Sequence, residues 1–143
     1  MASYTPFELV EDISRGDVDF DTDSFKMMLV DNTYTPSQAH SKRSDYTADE
    51  VSGTGYTAGG ATTTVTVSRS NGVASMTFSN VTWTGAGPGW TARRAVIYKD
   101  RGGAASADEV VAVIDFGGDQ VTNGTDFVVQ LSSALTITTP TGT

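Results

Sequence analysis

The stretch Thr63–Phe78, TTVTVSRSNGVASMTF, is typical of two β-strands joined by a tight turn. Its first half alternates Thr or Ser with Val65 and Val67, which is the two-residue period of a half-buried strand. Asn71–Gly72 then supplies two residues that tolerate the positive φ angles of a type I′ turn. The stretch therefore predicts a β-hairpin whose second strand is Val73–Phe78.

Apolar runs of strand length lie on both sides of this hairpin, with turn-forming residues between them. They are Phe25–Val30, Val81–Trp83, Thr91–Lys99, Glu109–Phe116, Phe127–Leu131 and Leu135–Thr138. Since Val81–Trp83 continues the pattern of the second hairpin strand, this amounts to about seven short strands separated by turns. They predict an all-β fold, either an antiparallel sandwich or a barrel-like arrangement. The length of 143 residues suits a single domain, which we assign to residues 17–143.

Residues 1–16 are predicted to form an N-terminal arm or short helix. Thr5 is placed to cap the helix, Pro6 suits its first position, Glu8 completes a capping box, and Gly16 can end it. Leu9, Val10 and Ile13 are spaced to share one apolar face, with Phe7 at its edge. Such a short helix must dock, either on its own sheet or on a neighbouring subunit.

The charge of the chain argues against nucleic acid as a partner. Acidic residues outnumber basic ones 17 to 9, and the formal net charge is −8. Non-specific binding to nucleic acid needs a basic face, for which only Lys42–Arg43 and Arg93–Arg94 offer local candidates. We also expect no membrane partner, because no apolar run approaches the ~20 residues that span a bilayer. The first residues lack the features of a secretory signal, so we expect synthesis in the cytoplasm.

Metal and cofactor sites are not expected. The chain has no cysteine and one histidine, which excludes the usual zinc ligand sets. Asp residues occupy every second position of Asp17–Asp23, and in an extended chain their carboxylates would share one side. This run has two interpretations, a calcium site or a solvated edge, and it lacks the turn glycine and bidentate Glu of an EF-hand.

The sequence predicts no catalytic residues. His40 is the only histidine, and no nucleophile-elbow pattern selects a serine to pair with it. Gly85–Gly89 lacks the Lys-Ser/Thr ending of a phosphate-binding loop. Asp and Glu are plentiful, but no pair is singled out for glycoside hydrolysis. Aromatic residues such as Trp83 and Trp90 could stack on sugars if they were exposed.

The polar segment from Asp31 to Ala61 is longer than most loops and favours contacts to partners. Part of it, Thr47–Glu50, has the pattern of a second capping box. The following stretch, Glu50–Ala61, places glycines around Tyr56 at a density typical of a loop held in unusual backbone conformations.

Several segments together resemble a family of small virion structural proteins of tailed bacteriophages. They are Phe25–Val30 with Tyr34–Pro36, Glu50–Gly60, Val81–Trp83, Thr91–Arg93, Ala95–Asp100 and Val113–Gly117. The resemblance extends from about Phe20 to Thr138, and it rests on the order and spacing of pieces that are each weak. The glycine-rich insert between Trp83 and Trp90 departs from the pattern of the family.

The resemblance implies a non-enzymatic head decoration (cement) protein on the outer surface of the virion head. Its partner would be the major capsid protein, and it would act as a homo-oligomer, a trimer, that reinforces the joints between capsomers. The alternatives are a tail or tail-tip component with a receptor- or carbohydrate-binding role and, third, a hydrolytic enzyme. We predict partner contacts at Tyr4, Pro6, Phe7, Val10 and Tyr56.

Overall fold

The computed structural model describes residues 2–138 and confirms the all-β prediction. One helix, α1 (Leu9–Arg15), precedes the strands, and three 3₁₀ turns lie at Arg43–Asp45, Thr47–Asp49 and Ala105–Ala107. The strands are β1 (Phe25–Val30), β2 (Ala61–Thr63), β3 (Val65–Ser70), β4 (Val73–Phe78), β5 (Val81–Trp83), β6 (Thr91–Lys99), β7 (Val110–Val121), β8 (Phe127–Val129) and β9 (Leu135–Thr138).

The strands form three antiparallel sheets. The central sheet has the order β2-β1-β6-β7, the outer sheet has the order β3-β4-β9, and β5 pairs with β8. The division into an arm at residues 1–16 and a domain at residues 17–143 stays a prediction, and Met1 and residues 139–143 lie outside the described residues. No helix within residues 2–138 has the length and apolarity needed to cross a membrane.

The central sheet is buried on both of its faces. In β1, Phe25, Met27 and Leu29 point into a core shared with the outer sheet, while Met28 and Val30 point into a second core. All four residues from Met27 to Val30 have an exposed fraction of 0%. A strand such as FKMMLV, apolar except for Lys26, is typical of a strand covered on both sides, so the fold needs a cover on each face.

The first cover consists of the outer sheet, the β5–β8 pair and α1. Phe78 of β4 lies edge-on to Phe25, with ring centroids 6.1 Å apart, and Trp83 of β5 is also buried in this core. The second cover is the long segment after β1. Tyr34 and Tyr46 from that segment stack at 4.8 Å over the opposite face of the central sheet.

The predicted hairpin is confirmed in its position and its turn. Asn71 and Gly72 have φ angles of 48° and 77°, and Ser70 pairs with Val73. These angles are those of a type I′ turn, whose twist matches that of the flanking strands. The register therefore follows from the turn.

The predicted end of β7 at Phe116 is wrong, because the strand resumes after a bulge and ends at Val121. Asp115 pairs with Arg94 and Gln120 with Ala92, so four residues of β7 loop out of the ladder. Gly117, at a φ of 79°, allows this excursion. Gly117 and Gly118 therefore lie in a bulge within the strand.

The start predicted for the first helix is also wrong. The helix begins at Leu9, with Glu8 at the N-cap and no side-chain capping hydrogen bond, so the capping box with Thr5 does not form. Gly16 ends the helix at a φ of 80°, as predicted. Similarly, Thr47–Asp49 is a single 3₁₀ turn without a side-chain cap rather than a capped helix.

A buried carboxylate ties the start of β7 to the neighbouring loops. Glu109 is 5% exposed, and it accepts hydrogen bonds from Arg101 at 2.8 and 2.9 Å and pairs with Lys42 at 3.5 Å. Burial alone would raise the pKa of Glu109, but the hydrogen bonds and the positive charges of Arg101 and Lys42 outweigh it. They hold the pKa of Glu109 below its ordinary value.

Glu109→Gln should lower the free energy of unfolding at pH 7 by about 1–3 kcal/mol, because the charged hydrogen bonds are lost. A lowered pKa in the folded state stabilises the protein above the unfolded-state value of 4.5, and that stabilisation disappears as the pH falls through the folded-state value. Urea unfolding at several pH values should therefore show the two proteins converging below pH 4.5.

The control for this experiment is Glu11→Gln, which removes an exposed ion pair with Arg15 on α1. It should cost about 0.5 kcal/mol or less. A constant difference between Glu109→Gln and the unmodified protein down to acid pH would contradict the role assigned to Glu109.

Candidate partner-binding surface

The predicted N-terminal arm lies against the edge of the central sheet. The Tyr4 N–H donates to the Val113 carbonyl at 2.9 Å, and the Val113 N–H donates to the Tyr4 carbonyl at 2.8 Å. The Phe7 N–H donates to the Gln38 carbonyl at 2.9 Å, and Pro6 is buried. Tyr4 and Pro6 therefore anchor the segment to its own fold.

Two apolar side chains of the same segment remain outside the core. Phe7 is 70% exposed and Val10 is 73% exposed, whereas Leu9 is 4% exposed and Ile13 packs against the core. The prediction that these residues share one face is wrong, because Leu9 and Ile13 point inward while Phe7 and Val10 point outward. We call Phe7 and Val10 the N-terminal apolar pair.

An apolar groove of about 230 Å³ begins beside this segment, with Tyr4 and Thr5 forming part of its wall. Ile97 and Ala112 of the central sheet and Leu131 complete its apolar lining. A groove of this size is below the usual range for small-molecule sites.

Tyr56, the remaining predicted contact residue, belongs to an internal network. Its hydroxyl donates to the Glu50 carboxylate at 2.7 Å and accepts from the Leu29 N–H at 3.0 Å. The same Glu50 oxygen accepts from the Gly59 N–H at 2.6 Å. Burial raises the pKa of Tyr56 above its ordinary value, so its hydroxyl stays protonated and donates. Its geometry supports a structural role in holding the glycine-rich loop against β1.

The glycines of that loop are required by close packing. A Cβ on Gly60, which has a φ of 77°, would lie 1.8 Å from the Met27 carbonyl oxygen. A Cβ on Gly55 would lie 2.6 Å from the Gly85 carbonyl oxygen, and one on Gly53 would lie 2.5 Å from the Trp90 ring. The glycine-rich loop is therefore wedged between β1 and the second glycine-rich segment, Gly85–Gly89.

The aromatic residues considered for sugar binding do meet, but inside the molecule. Tyr56 stacks on Trp83 and lies edge-on to Trp90, each at 5.9 Å between ring centroids. Trp83 is 5% exposed and Trp90 is 6% exposed. The arrangement buries the faces on which a sugar would stack.

His40 lies in a cluster of tyrosines. Its Nδ1 is 2.7 Å from the Tyr34 hydroxyl, which is 2.9 Å from the Tyr4 hydroxyl. Burial raises the pKa of Tyr34 above its ordinary value. Within residues 2–138, no hydrogen bond or ion pair joins His40 to a carboxylate. The arrangement connects the second cover to the N-terminal segment.

The acidic run folds into a turn instead of an extended edge. The Asp23 N–H donates to the Asp19 carbonyl at 2.9 Å, and the Asp19 carboxylate accepts from the Asp21 N–H, also at 2.9 Å. Asp23 pairs with Lys99 at 2.9 Å. In the part of the chain that the structure describes, no group of three acidic or histidine side chains could hold a metal ion.

The two basic dipeptides are neutralised by carboxylates within the fold. Lys42 pairs with Glu109, and Arg43 pairs with Asp108 at 2.7 Å. Arg93 and Arg94 each pair with Asp115 at 3.3 Å, and Arg93 also pairs with Asp119 at 3.7 Å. Neither dipeptide therefore presents free positive charge.

Comparisons with protein-family models, with curated proteins and with solved structures gave no match to this chain. The resemblance to phage virion proteins stays a prediction from the sequence.

Sequence analysis missed two residues that matter for the surface and its support. Glu50 closes the glycine-rich loop, whereas the only pattern that included it in the sequence is a capping box that does not form. Arg69 is the only charged residue between positions 51 and 92. That isolation was visible in the sequence and is the signal that could have drawn attention to it.

Gly60→Ala should destabilise the protein by more than about 3 kcal/mol, since the Met27 backbone would have to move and φ is strained. Gly103→Ala is the matched control, because its added Cβ meets nothing within 4 Å and its φ is ordinary. That control should change stability by less than about 1 kcal/mol. Equal midpoints in urea unfolding for the two variants would show that the loop is not wedged against β1.

Tyr56→Phe should cost about 1–3 kcal/mol of stability, because Glu50 and the Leu29 N–H both lose a partner while the ring stays in place. Urea unfolding measures this loss. If Tyr56 also contacts a partner, the variant will bind that partner more weakly even under conditions where it is fully folded. Full stability in the variant would contradict the network described above.

Proposed function

We propose that this protein is a non-enzymatic structural component of a tailed-bacteriophage virion, and that it decorates the outer surface of the head. In this role it binds the major capsid protein and reinforces the joints between capsomers. The sequence resemblance supports the family, and the N-terminal apolar pair is the observation that supports a partner surface.

The N-terminal apolar pair has the properties expected of such a contact. Phe7 and Val10 are the two most exposed large apolar side chains among the described residues. They are held on a segment whose backbone is fixed by Tyr4 and Phe7 hydrogen bonds. A partner that buries them gains apolar contact without paying to order the chain first.

The body behind the pair is suited to mechanical reinforcement. Its central sheet is covered on both faces, and its glycine-rich loop is locked by close packing. A net charge of −8 keeps the free protein soluble. When copies are joined as a homo-oligomer, a trimer in the family that the sequence resembles, simultaneous binding at adjacent sites strengthens attachment.

The tail-tip alternative gains no support from the aromatic cluster. A sugar-binding role would be favoured by solvent-facing Trp83, Trp90 and Tyr56, and both tryptophans are buried. A hydrolytic enzyme would be favoured by His40 or a carboxylate pair in a cleft, and His40 contacts tyrosines instead. Head decoration therefore remains the function that we propose.

The proposal is tested by adding purified protein to heads and, separately, to tails that lack it, and by measuring co-sedimentation. We expect saturable binding to heads and a higher temperature of DNA release from the decorated heads. Binding to tails alone, or binding to heads without any gain in heat resistance, would contradict head reinforcement.

Val10→Ser and Phe7→Ser should each weaken binding to heads by about tenfold or more, as expected for an apolar side chain at the centre of an interface. Val121→Ser is the matched control, because Val121 is 63% exposed and lies on β7, away from α1 in sequence. Deletion of residues 2–15 is a poorer test, since it removes Leu9 from the core. Equal binding by all three variants would exclude the N-terminal apolar pair as the contact.

A further inference from the structure

The outer sheet has an open edge at β3. This strand stands at the end of the order β3-β4-β9, and five of its six residues are exposed. Proteins usually protect such edges with proline, charged side chains or a bulge. β3 has no proline, its pairing with β4 runs without interruption from Val65 to Ser70, and its one charged residue is Arg69.

The hairpin geometry determines which backbone groups face this edge. In an antiparallel pair, hydrogen-bonded positions alternate with non-bonded ones. The Ser79 N–H donates to the Thr64 carbonyl at 2.9 Å, and Ser70 flanks the two-residue turn, so the even-numbered positions of β3 bond to β4. The N–H and carbonyl groups of Val65, Val67 and Arg69 therefore point toward the open edge.

Among residues 2–138, Arg69 on this edge is the only lysine or arginine without an ion pair. The sequence contains nine such residues, all within the described part of the chain, and the other eight each pair with a carboxylate inside the fold. The outer-sheet strands carry no acidic residue at all. The chain has 17 acidic residues, and none of them lies on the strands of the outer sheet beside Arg69. A second acidic molecule can therefore approach Arg69 without charge repulsion from these strands.

We propose that β3 binds β3 of a second copy of this chain, antiparallel and about a two-fold axis at Val67. In this register the outward backbone groups of Val67 meet their own counterparts, and Val65 of each copy lies opposite Arg69 of the other. The outer sheets of the two copies become one six-stranded sheet, in which the β3 edge of each copy is paired. The proposal does not depend on the role at the phage head.

Charge complementarity identifies the occupant as a second copy. Val65 shares a cleft with Asp21 and Asp23 of the acidic turn. Asp23 already pairs with Lys99, whereas the carboxylate of Asp21 has no ion pair among the described residues. Placing the Arg69 of one copy opposite Val65 of the other brings its guanidinium to the vicinity of this free carboxylate, once on each side of the axis.

Such a contact is isologous, so by itself it closes at two copies. It buries a small area and is expected to be reversible. A three-fold assembly of the kind implied by the sequence resemblance would need a surface other than the edge of β3.

Sedimentation of the purified full chain over a range of concentrations tests the pairing. We expect a reversible association in which the large species has twice the copies of the small one. Val67→Lys places like charges opposite each other at the axis and should raise the dissociation constant at least about tenfold. Val67→Pro removes the outward N–H without touching the β3–β4 hydrogen bonds, and should do the same.

Val128→Lys is the matched control, since Val128 is 45% exposed against 44% for Val67. It should associate like the unmodified protein. Circular dichroism and thermal unfolding establish that each variant is folded. Association that is absent in the unmodified chain, or that is unchanged by both Val67 variants, would overturn the proposal.

A charge exchange tests the register. Arg69→Asp and Asp21→Arg should each weaken the association, and the chain carrying both substitutions should recover it, because each copy supplies both partners. Failure of the double variant to recover would exclude this register. A third outcome is that the unmodified chain does not self-associate while Val67→Lys abolishes head binding. In that case a strand of the shell pairs with β3, and pairing between copies is excluded.

Discussion

Burial of β1 and β6 on both faces of the central sheet is the constraint on which the rest of the structure depends. Met27 and Met28 point to opposite sides, and neither is accessible to solvent. A chain of 143 residues has little material with which to cover two apolar faces. The outer sheet and α1 cover one face, and a mostly irregular segment carrying Tyr34 and Tyr46 covers the other.

Because so much of the chain covers the central sheet, few apolar residues remain on the surface for partners. Aromatic residues and glycines that look functional in the sequence pack inside the fold instead. Tyr56 and the glycine-rich loop are the clearest cases. What remains outside is peripheral: the N-terminal apolar pair at one place and the open edge of β3 at another. Both offer apolar side chains or backbone hydrogen-bonding groups, which suits the partner contacts that we propose.

Local chemistry was sufficient to predict some elements and not others. Asn71–Gly72 fixes its turn by φ alone, and Gly16 ends α1 for the same reason, so both could be predicted. The start of α1 could not, because Pro6 is buried and Phe7 donates to Gln38, a contact 31 residues away. The sequence indicated that glycines such as Gly60 occupy unusual conformations. It could not reveal that the Met27 carbonyl lies against Gly60, because that contact exists only in the folded sheet.

Electron cryo-microscopy of the intact virion tests the proposed role most directly. We predict density for this β body on the outer surface of the head, with α1 and the N-terminal apolar pair turned toward the shell. Density confined to the tail, or a head whose outer surface lacks this fold although the protein is present in the particle, would contradict the proposal.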